Sequence, residues 1–103
     1  MSLKHYWAYD FTCAKSMETI QTVFNEVGPW MWEMRDSAWY GDYLNARPST
    51  GVRVRIHLVE GIYSALLQIG SESAAQQNQI DVVCRGLLAK IHAENIKEIE
   101  PYD

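Results

Sequence analysis

Residues 52–69 read VRVRIHLVEGIYSALLQI, and this stretch decides the fold. Its first half alternates apolar with basic side chains, which is the period-two pattern of a strand that has one buried and one polar face. Glu60-Gly61 is a two-residue turn signal, so residues 62–69 are predicted to pair back as a hairpin. We therefore expect an antiparallel sheet at the centre of the fold. The apolar positions of the first strand are Val52, Val54, Ile56 and Leu58.

One amphipathic helix is predicted before this hairpin in the chain and another after it. Residues 17–27 carry apolar side chains at helical spacing, and Ser16 before them has the side chain of an N-cap. Gly28 is predicted to take the left-handed position that ends this helix. A second helix is expected from residue 71 or 73 through His92. Its predicted apolar stripe is Ile80, Val83, Cys84, Leu87, Leu88 and Ile91.

Three further strands are predicted, at residues 3–13, at the aromatic-rich residues 30–40, and as a short edge strand or tail at residues 96–103. Residues 41–51 are then expected to be a loop. Facing residues of the strands 30–40 and 52–59 would have numbers that sum to roughly 92, which places Arg35 opposite His57. Strict alternation would bury Asp36, so a β-bulge is expected at residues 35–37.

The predicted order is β-α-β-β-β-α-β, in a single α+β domain over residues 1–103. This order resembles the ferredoxin-like superfold, in which two helices pack on one face of an antiparallel sheet. It contains one strand more than the standard β-α-β-β-α-β arrangement. The resemblance implies a two-layer sandwich, and because it is architectural it assigns no function.

Composition and charge exclude several classes of function. The net charge of −4 argues against nucleic-acid binding, which normally recruits an excess of Lys and Arg. The strand 52–59 also lacks the outward aromatic residues of an RNA-recognition module. No apolar run is long enough to cross a membrane, and the first residues lack the apolar core of a signal peptide. The sequence therefore predicts a cytoplasmic protein with no nucleic-acid or membrane partner.

Catalytic, metal and cofactor motifs are absent from the sequence. The three histidines have no ligand spacing, the six glycines are scattered singly, and no serine lies in a nucleophile context. No catalytic residue, metal or cofactor is therefore predicted. Cys13 and Cys84 are interpreted as ordinary thiols, with a disulfide between them as the alternative.

The sheet face turned away from both helices, called the outer face below, is predicted to carry exposed apolar side chains. Contiguous exposed apolar patches tend to mark binding surfaces. The leading hypothesis is a non-enzymatic protein-association module that forms a homodimer through the outer face, with a different protein as another partner to consider. The predicted interface residues are Met31, Trp39, Val59, Ile62 and Leu66.

The same face carries arginines, whose planar guanidinium groups suit carboxylates and phosphates. The alternative hypothesis is a small-molecule binder for an anionic ligand, or an enzyme, with its pocket between two such sheets. A solvated amphipathic strand would produce the same alternation, so a purely structural explanation also stays open. The predicted ligand-binding residues are Arg35, Arg53, Arg55, His57, Tyr6 and Asp10.

Overall fold

The computed structural model describes residues 4–38, 41–48, 51–70 and 77–99. The strands in this part form one antiparallel sheet, in the order β2-β3-β4-β5-β1-β6, and two helices pack against it. The α+β class predicted from the sequence is confirmed, but four strands rather than the predicted three lie between the two helices. The elements are β1 Lys4–Thr12, α1 Met17–Val27, β2 Trp32–Ser37, β3 Gly41–Ala46, β4 Val52–Val59, β5 Ile62–Gly70, α2 Gln77–Lys90 and β6 Glu94–Ile99.

The predicted hairpin of β4 and β5 is confirmed. Val59 pairs with Ile62 across the turn, and the pairing continues to Val52 opposite Ile69. Glu60 has φ 52° and Gly61 has φ 82°. Two consecutive positive φ values are what a type I′ hairpin turn requires, and the twist of this turn matches that of the strands.

The predicted loop at residues 41–51 is wrong, because residues 41–46 form the strand β3. This strand lies between β2 and β4, with Leu44 opposite Met34 on one side and Ile56 on the other. Gly41 is the first residue of β3 and Gly51 directly precedes β4, and their φ values of 71° and 79° are ones that other residues rarely take.

The inserted strand also changes the register that the sequence predicted. Arg35 faces Tyr43, and Tyr43 in turn faces His57, so Arg35 and His57 lie two strands apart rather than opposite each other. The predicted bulge at residues 35–37 is wrong as well, because the pairing of β2 with β3 continues without interruption through Asp36 opposite Asp42. Asp36 is exposed at the edge of the sheet, so its carboxylate needs no buried partner.

The start of α1 is as predicted and its end is not. The Thr19 backbone N–H donates to Ser16 Oγ at 3.2 Å, which caps the helix. Gly28 is extended, with φ −93° and ψ 162°, rather than left-handed. A Cβ at this position would lie 2.8 Å from both Leu87 Cδ2 and the Phe24 carbonyl oxygen. Glycine is therefore needed here for close packing of α1 against α2, and not for its φ.

The second helix ends at Lys90, two residues before the predicted end, because His92 takes a left-handed φ of 56°. Its predicted start at residue 71 or 73 lies outside the described residues. The predicted stripe packs in the core, with Val83 partly buried and the other members buried. None of the helices described is long and apolar enough to span a membrane.

The two cysteines are both free thiols, as the preferred interpretation predicted. Burial raises the pKa of the Cys84 thiol to about 12, so this side chain stays protonated and acts as an apolar part of the core. The last strand, β6, lies at the other edge of the sheet, which confirms the expected edge position for residues 96–99, while residues 100–103 lie outside the described residues.

Candidate functional site

Two rows of side chains cross the outer face of the sheet. Facing residues on neighbouring strands lie on the same face, so the register assigns each row directly. The first row runs from β2 to β6 through Arg35, Tyr43, His57, Ser64, Asp10 and Lys97. The second row consists of Glu33, Asn45, Arg55, Leu66, Ala8 and Ile99.

Four of the five arginines of the chain lie on β2 and β4 or directly after β3, and alternation places them on the outer face. They are called the arginine cluster and consist of Arg35, Arg47, Arg53 and Arg55. Arg35 forms an ion pair with Glu33, with 2.9 Å between Nη2 and Oε2. The other three form no ion pair with any described residue. Positive charge is thus concentrated on one face of a chain whose net charge is −4.

Arg53 is held in place by two neutral side chains of β3. Its Nε donates to Asn45 Oδ1 at 2.7 Å, and one terminal nitrogen makes a longer contact of 3.4 Å to the Tyr43 hydroxyl. Burial lowers the pKa of Arg53 most, and the charge of Arg55 lowers it next. Arg47 and Arg35 lower it by smaller amounts. Tyr43 acts in the opposite direction. The guanidinium is therefore oriented without being neutralised.

Arg55 contains a buried donor without an acceptor. Its Nε is buried and has no hydrogen-bond partner among the described residues, although the side chain as a whole is only half-buried. An unsatisfied buried donor costs about 1–3 kcal/mol, and more when the group is charged. An anion would remove that cost if a change in the conformation of the Arg55 side chain exposed this nitrogen to one of its oxygens.

His57 lies beside these arginines and is only 4% exposed. Its ring stacks on Tyr43, with 4.9 Å between the centroids and 26° between the planes. Burial lowers the pKa of His57, and Arg55 and then Arg53 lower it further, so the imidazole is neutral at pH 7.

The neighbouring strands place His57, Ser64 and Asp10 side by side, but not as a nucleophilic triad. Ser64 Oγ donates to Asp10 Oδ1 at 2.7 Å. An activated serine would instead donate its proton to the histidine. The serine proton is held by the carboxylate here, so this row forms a polar support for the site.

An open depression lies at the β2 side of the arginine cluster, with a volume of about 420 Å³. It is lined by Met31, Glu33, Arg35, Asn45 and Arg47. Asn45 also holds Arg53, so the depression and the oriented guanidinium share one residue. The depression and Arg53 together offer positively charged hydrogen-bond donors beside the exposed apolar side chain of Met31.

Of the residues predicted to bind a ligand, Arg53, Arg55 and His57 lie on the outer face of β4, and Arg35 lies on the same face of β2, two strands away. Asp10 lies two strands away from His57, with Ser64 between them. The side chain of Tyr6 lies outside the described part of the structure.

The predicted interface residues that the structure describes lie at separate places on the outer face. Met31 is 74% exposed near the start of β2, while Val59 and Ile62, 49% and 45% exposed, lie at the opposite end of the outer face beside the β4–β5 turn. Leu66 was expected to be exposed, but it is buried, with 3% of its surface accessible. Trp39 lies outside the described residues.

Sequence reasoning missed three residues of this face, because it treated their segment as a loop. They are Tyr43, Asn45 and Arg47. Their signal is a short alternation, with Leu44 and Ala46 buried between them. This pattern was not recognised because β3 begins with Gly41 and Asp42, which are typical of a loop.

Comparison of the chain with protein-family models found no match, and comparison with curated proteins found no significant match.

Proposed function

We propose that the protein is a non-enzymatic binding domain that takes a small anionic ligand, a carboxylate or a phosphate ester, at the arginine cluster. The observation that carries this proposal is the buried Nε of Arg55, which has no acceptor among the described residues and lies in a group of mutually repelling guanidiniums. Arginine side chains bind carboxylates and phosphates with paired, charge-assisted hydrogen bonds. An anion would satisfy the donor and reduce the repulsion at the same time.

The charge of the outer face favours an anion over a second copy at the centre of this face. In a twofold dimer whose axis passes through the arginine cluster, each cluster would approach its own copy. Like charges brought together across an interface cost several kcal/mol. A second protein copy could occupy this region only with anions between the clusters.

Thermal unfolding in the presence of anions tests the proposal. A ligand at ten times its Kd stabilises a protein by about 1.4 kcal/mol, which corresponds to a rise of roughly 6 °C in Tm for a domain of this size. Arg55→Ala should weaken binding roughly 10- to 100-fold, because a hydrogen bond to a charged group contributes about 1.5–3 kcal/mol. At the same ligand concentration the rise in Tm should then largely disappear.

The screen uses carboxylates, phosphates and sulfate at constant ionic strength, so that general screening is not mistaken for binding. Arg85→Ala is the matched control, because Arg85 lies on α2 in an ion pair with Asp81, away from the arginine cluster. This control should keep the full ligand-induced rise. Equal ligand-induced rises in Arg55→Ala and in the unaltered protein would contradict the proposal.

Association with a second copy is the second candidate function, and the exposed pair Val59 and Ile62 favours it. These two residues face each other at one end of the outer face, away from the depression beside Met31. Contact between copies at this end would cover apolar surface and leave the arginine cluster open. A different protein with an apolar surface could bind at the same end.

Light scattering at micromolar concentration tests this second candidate. We expect a mass above the 11.9 kDa of one chain, and Ile62→Lys should restore the mass of one chain because it places a charge in the contact. Arg85→Ala, on a helix, should leave the mass unchanged. A monomeric mass throughout the micromolar range would rule out the association.

The proposal also includes the type of fold and the cellular location of the protein. Without the edge hairpin of β2 and β3, the elements follow the order β-α-β-β-α-β, which supports a ferredoxin-like core with an added hairpin. The free thiols Cys13 and Cys84 support a reducing compartment such as the cytoplasm.

A further inference from the structure

We propose that anion binding at the arginine cluster is coupled to protonation of His57, so that the site takes up the anion and a proton together. The coupling rests on the anion site proposed above. His57 lies on the same face of β4 as Arg53 and Arg55. Its ring stacks on Tyr43, and the Tyr43 hydroxyl contacts Arg53. The imidazole and the Arg53 guanidinium therefore belong to one connected group of side chains, and Arg55 lies between these two residues on the same face of β4.

Positive charges predominate among the described groups that lie in the outer-face row of His57 or beside it on β4. These groups are Arg53 and Arg55 on β4, Arg35 on β2, Tyr43 on β3, Ser64 on β5, Asp10 on β1 and Lys97 on β6. The negative charge of Asp10 is separated from the imidazole by Ser64, which donates its hydrogen bond to the carboxylate. Burial disfavours a charge on His57 most, and Arg55 and Arg53 repel a further positive charge there, so the pKa of this residue is lowered.

The sign of the pH dependence follows from this neutral state. Because the pKa of His57 is lower in the folded than in the unfolded chain, the unliganded protein loses stability as the pH falls below about 6.5. A bound anion offsets the charges of Arg53 and Arg55 and attracts a proton to the imidazole. By reciprocity, a proton on His57 strengthens anion binding by the same factor. Affinity for the anion should therefore increase as the pH falls.

Sulfate is the probe for the test, because its charge is constant between pH 5.5 and 7.5. We expect isothermal titration at constant ionic strength to give a Kd that is roughly three- to tenfold lower at pH 5.5 than at pH 7.5, since one linked proton contributes at most a factor of ten per pH unit. Asp and Glu side chains stay largely ionised over this range. The change therefore reports on histidine.

Two variants and one spectroscopic measurement separate His57 from other groups. His57→Gln should still bind sulfate but lose the pH dependence, whereas His92→Gln, at an exposed turn after α2, should keep it. Proton NMR of the histidine rings in the unaltered protein gives a readout that needs no variant to fold. Saturating sulfate should raise the pKa of the His57 ring.

The outcomes distinguish the coupling from the binding site itself. Sulfate binding with the same Kd at both pH values, together with an unchanged pKa of His57, would overturn the coupling and leave the anion site intact. Absence of sulfate binding at both pH values would overturn the anion site, and the coupling with it. A pH dependence that persists in His57→Gln would assign the proton to a different residue and likewise overturn the coupling.

Discussion

Replacing Leu66 with lysine is expected to unfold the protein, whereas the same replacement at Ile62 is expected to leave it folded. Leu66 is 3% exposed and faces Ala8, which is fully buried, while Ile62 is 45% exposed. Both side chains lie on the outer face of β5. Loss of a buried leucine costs about 2–5 kcal/mol, and burial of an ammonium group adds to that cost. A total of this size is a large part of the roughly 5–15 kcal/mol that stabilises an ordinary domain.

Urea unfolding of the two lysine variants measures this difference, because position 62 matches position 66 in strand and face. Equal free energies of unfolding for Leu66→Lys and Ile62→Lys would show that the outer face is open to water at Leu66. The result also decides how association is tested. Loss of a dimer in Leu66→Lys would report unfolding, so only Ile62→Lys probes the surface between copies.

Replacing Trp32 with alanine is expected to lower the free energy of unfolding by about 3–5 kcal/mol, the range of buried Trp or Phe to Ala changes. Trp32 is 2% exposed, and the centroid of its ring lies 5.1 Å from the centroid of the Phe24 ring on α1. Its backbone N–H donates to Asn25 Oδ1 at 2.7 Å, and its carbonyl accepts from Gln21 Nε2 at 3.1 Å. Trp32 thus attaches the start of β2 to α1.

Met31→Ala is the control for this prediction, because Met31 precedes Trp32 and is 74% exposed. We expect it to change stability by no more than about 0.5 kcal/mol, as surface substitutions usually do. Chemical denaturation gives both values. A loss below about 1 kcal/mol in Trp32→Ala would mean that the β2–β3 hairpin, which carries part of the arginine cluster, is not attached through this side chain.

The elements with strong local signals could be predicted from the sequence. The hairpin of β4 and β5 follows from period-two alternation and the Glu60-Gly61 turn, and α1 follows from apolar spacing after Ser16. The strand β3 could not be predicted in the same way. Its six residues begin with Gly41 and Asp42, and its outward positions are polar, so its pattern resembles that of a loop.

The candidate site likewise has features that could be predicted from the sequence and features that could not. Alternation along β4 is sufficient to place Arg53, Arg55 and His57 on one face of the sheet. Their partners could not be predicted, because the contacts of Arg53 with Asn45 and Tyr43 depend on a strand that was not recognised. Burial of His57 was also inaccessible, since alternation assigns a side chain to a face and does not say how neighbouring side chains cover it.

Nitrogen-detected NMR of the arginine Nε–H groups during a sulfate titration tests the anion site most directly, because it observes the binding donors themselves. We predict saturable shifts of the Arg55 and Arg53 signals that fit one Kd, with the larger shift at Arg55, whose Nε has no acceptor among the described residues. The Arg85 signal, from a guanidinium paired with Asp81 on α2, should not change. Shifts of equal size at Arg85, or no saturable shift at Arg53 and Arg55, would contradict the proposed anion site.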